Sequence, residues 1–540
     1  MAGLAATLGS GAMTNSMEEV LDAKVIFLTG TNTTENHPVF GSLVKRAVKQ
    51  NGAKLIVADP RRIDLVDCAE IWLRQRNGSD VALLMGLQHI ILRDGLEAKE
   101  YLAERCEGIE EYRKSLEFYT PEKVEELTGV PRDLLAEAAR LYATGGRCAL
   151  YYCMGITQHS HGVDNVKACV NLQLLTGNLG FQGGGVNPLR GQSNVQGACD
   201  MGGLPNVFTG YQPVTDENAR KKFADFWKVG ELPPKVGMTL TDMIGACGDK
   251  IRALYVLGEN PMMSDPNLHH VEEALDKLDL LVVQDIFPTE TARRAHVVLP
   301  GVSFAEKTGT VSNTERRVQL SHQAIRPTGD VRQDYEIVAD LAARFGHAFP
   351  RTPEGLFEEI RALTPSYAGI TYARLQEVGI QWPCPNPDHP GTRFLHRDKF
   401  SRGKGLLSPL AYRPPAEEPD AEWDMTLSTG RILQHFHTGS MSRRSTILDA
   451  IVKSGHVEIH PDDARKHGLA SGDAVRVTTR RGEITTRVLV TDRVAPASIF
   501  VPFHFAEAPA NALTNDALDP VSRIPEYKVC AARIRPVPRA

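Results

Sequence analysis

The sequence predicts an α/β protein in which two blocks of apolar strands alternate with helices and a small β-barrel follows. Three observations carry this. Continuous apolar runs such as "KVIFLT" and "KLIVAD", each separated by a helical stretch, read as parallel strands buried on both faces. The pattern returns beyond a polar loop in mid-chain, in "RALYVLG", "LDLLVVQ" and "HVVLP". From Trp423 onward the chain becomes mostly β, with residues 475–490 alternating apolar and polar around Arg481-Gly482 as a hairpin does.

In chain order, Ser16-Met-Glu-Glu19 reads as a capping box opening a short helix. The strand from Lys24 to Thr29, the loop from Gly30 to Pro38, a helix to about Gln50 and the strand ending at Asp59 form a βαβ unit. A strand near Ile71 to Leu73 leads to Asn77-Gly-Ser-Asp80, where Ser79 or Asp80 is placed to cap the next helix. A helix from Pro131 to Thr144 starts with Pro and stops at Gly145, and "CALYYC" is the strand after it. In the second block an amphipathic helix spans Asp330 to Phe345. Residues 380–420, rich in Pro, read as a linker. Pro461 to Gly468 is a single short helix.

Composition narrows the function. At 540 residues the chain is long enough for several domains. Its 42% hydrophobic and 24% charged content is that of an ordinary soluble protein, and a net charge of −5 gives no reason to expect nucleic-acid binding. No apolar run approaches a bilayer span, and the first cation is Lys24, so the start lacks the charge of a secretory signal. Nine cysteines without a Cys-x-x-Cys pair argue against zinc or an iron–sulfur cluster built within these residues. They fit a reducing compartment, and a cytoplasmic location is expected.

The run from Asn187 to Gly202, "NPLRGQSNVQGACDMG", is the most informative stretch. It holds one Arg, two Gln, two Asn and one Asp on a glycine-rich backbone and little that forms a core. Such a loop is either a solvated crossover or a ligand site. Arg190 carries a planar fork that fits a carboxylate. Polar or small residues also follow the strands at residues 30–36, 59–62, 155–158, 258–260 and 284–285. Ligands of open α/β sheets bind outside the carboxyl ends of strands, although any single such loop also serves to cap a helix. No G-x-G-x-x-G after a strand and no G-x-x-x-x-G-K-[ST] is present, which disfavours a directly NAD-binding domain and a P-loop NTPase.

That central loop and "TGRILQHFHTGSMSRRS" (Thr429 to Ser445) resemble the catalytic subunits of molybdenum- or tungsten-dependent formate dehydrogenases, in the bis-molybdopterin guanine dinucleotide (dimethyl sulfoxide reductase) family. The resemblance runs from Met1 to about Lys528. It implies two Rossmann-like doubly wound α/β domains, one incomplete, and a C-terminal double-psi β-barrel. The domains expected are 1–186 for the first, 187–349 for the second with the active-site loop, 350–420 for a helical, Pro-rich linker and 421–540 for the barrel. It also implies a bis-molybdopterin guanine dinucleotide cofactor with molybdenum or tungsten, and hydride transfer from formate to the cofactor's metal–sulfido group. Carbon dioxide leaves, and electrons pass singly to iron–sulfur centres. Arg190 would hold the formate carboxylate, with Gln192 beside it and Gly191 contacting the cofactor.

The family's pterin contacts fall on Asn32, Glu35, Asp59, Asn77, Gly78 and Asp80, and on Gly155, Gln158, Gly258, Asn260, Gln284 and Asp285. In the barrel they fall on Thr429, Gly430, Arg431, His437, Thr438 and Ser440, and on Asn511, Tyr527 and Lys528. Asp59 and Asp285 suit guanine, since a carboxylate accepts from its N1–H and exocyclic amine. His435-Phe-His437 would present alternating imidazoles on a strand, as surface residues or a metal pair. With no carboxylate or Cys nearby in sequence, no dedicated protein-bound metal is expected.

The family's metal-ligating Cys or selenocysteine and its [4Fe–4S] domain would lie upstream of Met1, so these residues alone are expected to be inactive and poorly soluble. The expectation is that Met1 arises where a UGA selenocysteine codon was read as a stop; a split gene is the alternative. Expected partners are formate and carbon dioxide, iron–sulfur electron-transfer subunits, and an NAD-reducing flavoprotein or a hydrogenase. Two other readings compete: a related oxidoreductase acting on another oxyanion, which Arg190-Gly-Gln disfavours, and a non-catalytic pterin-fold scaffold, which has little reason to keep the polar loop.

Overall fold

The structure is a computed structural model describing residues 1–538; the last two residues of the expected barrel domain lie outside the described residues. The chain forms two compact units. Met1–Gly191, Asp265–His269 and the chain from Phe394 make the first, and Gln192–Ser264 with His270–Arg393 the second.

The first unit holds a five-stranded sheet of β1 (Val25–Thr29), β2 (Lys54–Ala58), β3 (Ile71–Leu73), β4 (Cys148–Tyr152) and β5 (Val186–Pro188), ordered β3-β2-β1-β4-β5. All neighbours pair parallel, with Val25 opposite both Lys54 and Cys148. Every residue of β1 and β4 is buried, as the unbroken apolar runs require. The helix α1 (Pro38–Asn51) opens on Pro and ends at Gly52 in the left-handed region. The helices α2 (Asp80–Arg93) and α4 (Gly162–Leu175) are buried nearly all round and pack together, while α3 (Arg132–Thr144) packs on α2. Each fully buried Leu, Ile or Val in this core contributes about 1.5–3 kcal/mol of transfer free energy.

Residues from Trp423 close a six-stranded barrel within the same unit. Its strands are β12 (Met425–Gly430), β13 (His456–Ile459), β14 (Ala474–Thr478), β15 (Glu483–Val490), β16 (Ser498–Pro502) and β17 (Cys530–Pro536), ordered β12-β16-β13-β15-β14-β17. The pairs β12–β16 and β13–β15 are parallel and the rest antiparallel. Alternate residues of β15 point inward, and β14 and β15 form the expected hairpin.

The second unit is an α/β layer with three parallel strands, β6 (Ala253–Leu257), β7 (Leu280–Asp285) and β8 (Val297–Pro300), ordered β8-β7-β6. One face of this sheet buries Val256, Leu281 and Val283 against Val271, Ala274 and Leu275. Leu257 and Val298 are 49% and 47% exposed, so the sheet is covered far less than its counterpart. An antiparallel sheet of β9 (Gly309–Ser312), β10 (Arg317–Ser321) and β11 (Ile380–Gln381) completes this unit with α5 (Val195–Asp200), α6 (Asp334–Arg344) and α7 (Pro353–Leu363).

Several local expectations are corrected. Ser16 makes no side-chain cap; Glu19 instead accepts from Asn15 Nδ2 at 2.7 Å and from the Gly183 N–H at 3.3 Å. Ser79 is the N-cap of α2 in position only, because its hydroxyl donates to Arg76 O. The helix expected from Asp330 starts at Asp334, set by the reciprocal bonds of Gln333 and Glu336. The stretch expected to be a linker buries Trp382, Cys384, Phe400 and Leu407, so it packs onto the units it joins in sequence. Among the described residues, no helix is long and apolar enough to cross a membrane.

Candidate active site

In the first unit, the strand order reverses between β1 and β4, and the loops leaving those strands touch backbone to backbone. Gly155 N–H donates to Gly30 O at 3.0 Å. A Cβ on Gly30 would lie 2.7 Å from Gly155 C, and one on Gly155 would lie 2.6 Å from Gly30 Cα. Beyond this contact the β1 loop places Asn32, 8% exposed, with neither amide atom hydrogen-bonded. The hydroxyls of Thr29, Thr31 and Thr33 are equally buried and unpartnered. A buried polar atom left unmade costs roughly 1–3 kcal/mol, so a cluster of them marks where a polar ligand belongs.

Glu35 is differently placed. It pairs with Arg493 at 2.7 Å and lies 3.6 Å from Arg61, which also forks onto the buried Glu458 and stacks 4.0 Å above Phe500. Asp59, after β2, accepts from the Arg61 N–H at 2.9 Å. Burial pushes its carboxyl up to about 6, against the pull of Arg61 and Lys528. Asn77 donates to Lys528 O at 3.2 Å. Gly78 adopts φ 78°, where a Cβ would strike Pro415 at 2.4 Å.

Asp80 accepts from Gln75 at 3.0 Å, and burial raises its pKa. Beside it, His159 Nε2 donates to Gly155 O at 2.8 Å, and the His159 and His161 rings stack 5.4 Å apart. His159 Nδ1 and both His161 nitrogens are buried without a partner. Burial lowers both imidazoles to about 4, which keeps them neutral at pH 7. Neither His159 nor His161 is among the contacts expected from the sequence, which end at Gln158 after β4; the alternation Gln158-His-Ser-His161 ahead of α4 is the signal that points to them.

The barrel brings its two expected loops together. Thr429 Oγ1 donates to Tyr527 O at 3.0 Å, and Lys528 Nζ donates to Thr429 O at 2.7 Å. Burial lowers the Lys528 amine to about 8. Next to Gly430, Arg431 lies 4.8 Å over Phe436, and its buried Nη2 has no hydrogen-bond partner. The β12 strand ends at Gly430, so His435 and His437 do not alternate on a strand as expected. His435 Nε2 donates to Val452 O, and His437 offers its carbonyl to His504 Nδ1. Thr438 and Ser440 bond each other at 2.9 Å, and Asn511 is buried.

Arg190 and Gly191 follow β5 and end the first segment of this unit. Leu189 N–H still donates to Tyr152 O at 2.8 Å, but the ladder stops there. His37 Nε2 lies 2.6 Å from Arg190 O, and Arg431 Nη1 donates to Gly191 O at 3.4 Å.

In the second unit, Gly258, Asn260, Gln284 and Asp285 stand at the carboxyl ends of the adjacent β6 and β7. Asn260 donates to Glu290 at 2.8 Å and accepts from the Thr291 hydroxyl at 2.7 Å. Gln284 donates to Asp334 at 2.8 Å and accepts from the Tyr255 hydroxyl. Asp285 Oδ1 accepts from Ile286 N–H at 2.6 Å. Gln192 opens this unit, and the loop after it is folded around the helix Val195–Asp200 rather than a solvated crossover. Asp200 is fully buried and accepts from Gln196 Nε2 (2.8 Å), Tyr211 (2.7 Å), Tyr367 (2.5 Å) and Trp382 Nε1 (2.7 Å). Four donors fix the loop on its own carboxylate.

The unpartnered donors and acceptors of Asn32, His161 and Arg431, the glycine-lined backbone contact and the carboxyl of Asp59 suit a large polar ligand with phosphate and guanine groups. Comparison with known proteins agrees. Residues 4–344 match the Molybdopterin oxidoreductase family, and residues 425–531 match the Molydopterin dinucleotide binding domain. The chain is 47% identical over 540 residues to F420-dependent formate dehydrogenase 1 subunit alpha of Methanococcus maripaludis, covering 99% of this chain and 80% of the relative. It is 38% identical to Formate dehydrogenase H of Escherichia coli, covering 99% of this chain and 76% of that protein. Its fold is similar to that of Acetylene Hydratase from Pelobacter acetylenicus, with a TM-score of 0.79 at 21% identity, covering 99% of this chain and 80% of the other. The chain therefore belongs to the molybdopterin oxidoreductases and, within them, to the formate dehydrogenase alpha subunits.

Proposed function

We propose that this chain is the catalytic portion of a formate dehydrogenase, interconverting formate and carbon dioxide at a molybdenum or tungsten bis-pterin guanine dinucleotide centre. Its membership among formate dehydrogenase alpha subunits, together with the Arg190-Gly-Gln192 loop at the end of β5, carries this reading. The cofactor, when bound, supplies the two-electron redox chemistry. The chain supplies binding and orientation. Arg190 holds the formate carboxylate through its fork and so directs the C–H bond, and Gln192, two residues along the chain, offers its amide to the substrate. Asp59 and Asp285 accept from guanine edges. Asn32, Asn77, Asp80, Gln158, Thr429, Arg431 and Lys528 supply the other polar contacts to the cofactor. Electrons leave through iron–sulfur centres to an electron-transfer subunit, for which an NAD-reducing flavoprotein or a hydrogenase is the proposed class, in the cytoplasm.

Arg190→Lys in the complete enzyme tests this, because it keeps the charge and removes the fork. Formate kcat/KM is expected to fall at least about tenfold, about 1.4 kcal/mol of transition-state binding, with pterin and metal content unchanged. Unchanged formate kinetics would remove Arg190 from the site.

A further inference from the structure

We propose that His37 is a positioning residue that sets the main chain under Arg190, with Arg431 as its weaker counterpart; this rests on the reading of Arg190 as the formate-binding residue. After Leu189 the backbone leaves the sheet, so the carbonyls of Arg190 and Gly191 have no strand to pair with. Each is taken by a side chain from a different element of the first unit.

A carbonyl oxygen only accepts, so His37 Nε2 carries the hydrogen in the 2.6 Å bond to Arg190 O. His37 Nδ1 is buried with no hydrogen-bond partner among the described residues, and burial disfavours the protonated ring, outweighing the bond to the Arg190 carbonyl and reinforced by the charge of Arg431. The imidazole is thus held as one neutral tautomer with its only N–H on the Arg190 carbonyl.

The mounting is rigid. His37 caps α1 with its backbone: its N–H bonds Thr33 O at 3.0 Å and its carbonyl accepts from Gly41 N–H at 2.8 Å. Pro38 fixes the next residue. Gly41 brings α1 close, since a Cβ there would sit 3.0 Å from Thr33 O. The Arg190 peptide is therefore pinned from the β1 loop, and tilting it would swing a long side chain whose aim decides substrate orientation. A displacement of about 1 Å at a reacting group is enough for a loss on the order of a hundredfold.

The test is made in the complete, cofactor-loaded enzyme. His37→Ala is expected to raise KM for formate and the inhibition constant of nitrate, a planar oxyanion, at least about tenfold each, with pterin and metal content and thermal midpoint near wild type. His37→Gln presents an amide N–H where Nε2 stood and should recover most of the loss. His37→Asn, which mimics Nδ1, should not. Combined with Arg190→Lys, His37→Ala should add little further loss. If Arg190→Lys leaves formate kinetics intact, the reading of Arg190 fails first. If Arg190→Lys is impaired while His37→Ala binds formate and nitrate normally, the positioning role is overturned. Loss of cofactor with normal KM in the loaded fraction, or equal behaviour of the Gln and Asn variants, overturns it as well.

Discussion

The strand ends of the two units handle polar groups in opposite ways. In the first unit, Asn32, three threonine hydroxyls and the His159–His161 pair are buried with atoms that nothing among the described residues hydrogen-bonds. In the second unit, Asn260 and Gln284 occupy equivalent places after parallel strands, and both are bonded on their donor and acceptor sides. Asn32, Asn260 and Gln284 are expected from the sequence to contact cofactor on the same grounds. The difference teaches that the first unit's loops leave buried polar atoms unbonded, as the proposed cofactor site requires, whereas the second unit's loops hold their shape from within. Preorganisation there comes from residues that look, in sequence, like ligand contacts.

Removing the strongest internal anchor would sharpen this contrast most. Asp200→Ala strips a fully buried carboxylate from four donors, and the second unit should lose about 4 kcal/mol of stability, read by denaturant titration. A loss under about 1 kcal/mol would mean that the donors find water or each other.

The direct comparison is between two asparagines. Asn260→Ala should cost about 2 kcal/mol in cofactor-free protein, because it removes the bonds to Glu290, the Thr291 hydroxyl and the buried Thr291 N–H. Asn32→Ala should cost less than about 0.5 kcal/mol in the same protein, since no bond is lost, while cofactor retention after gel filtration falls. Equal costs would erase the distinction between the units.

The smallest effect is a pH slope. His159 and His161 have folded-state pKa values of about 4, below the unfolded value near 6.5. The unfolded chain therefore binds protons first on acidification. Their contribution is intact above pH 6.5 and is lost as pH falls towards 4, by up to about 1.4 kcal/mol per pH unit for each ring. Asp80, with a raised pKa, acts oppositely by favouring the protonated fold. His161→Gln should flatten the acid limb of thermal midpoint against pH; an unchanged limb would place the responsible groups elsewhere.

Continuous apolar strands identified β1, β2 and β4 nearly to the residue, because burial on both faces leaves no other composition. The hairpin of β14 and β15 was equally readable from its period. The β pattern after Trp423 points to a small barrel, as found; the order in which its strands close was not legible from local pattern, since it depends on β12 meeting β16 and β17 across long stretches of chain. The loop from Asn187 to Gly202 reads in sequence as a solvated crossover or a ligand site because its side chains are polar; two partners that fold it onto Asp200, Tyr367 and Trp382, lie more than 160 residues away. Ser16 and Glu19 had capping spacing, but Asn15 and Gly183 compete for the glutamate. His159 and His161 were overlooked because an unsatisfied imidazole is a property of its surroundings.

The joints between the barrel and the sheet's loops also set an order of events during synthesis. Ser160 is held by Glu526, 366 residues later, and Val163 by Asp519, 356 residues later. At roughly 5–20 residues per second, a ribosome adds that length in about 20–70 s. Throughout that interval the loops after β1 and β4 lack the wall that Asp519–Lys528 provides. The cradle thus stays open while residues 163–519 are made, leaving a window of tens of seconds in which a bulky cofactor meets no finished barrel in its way.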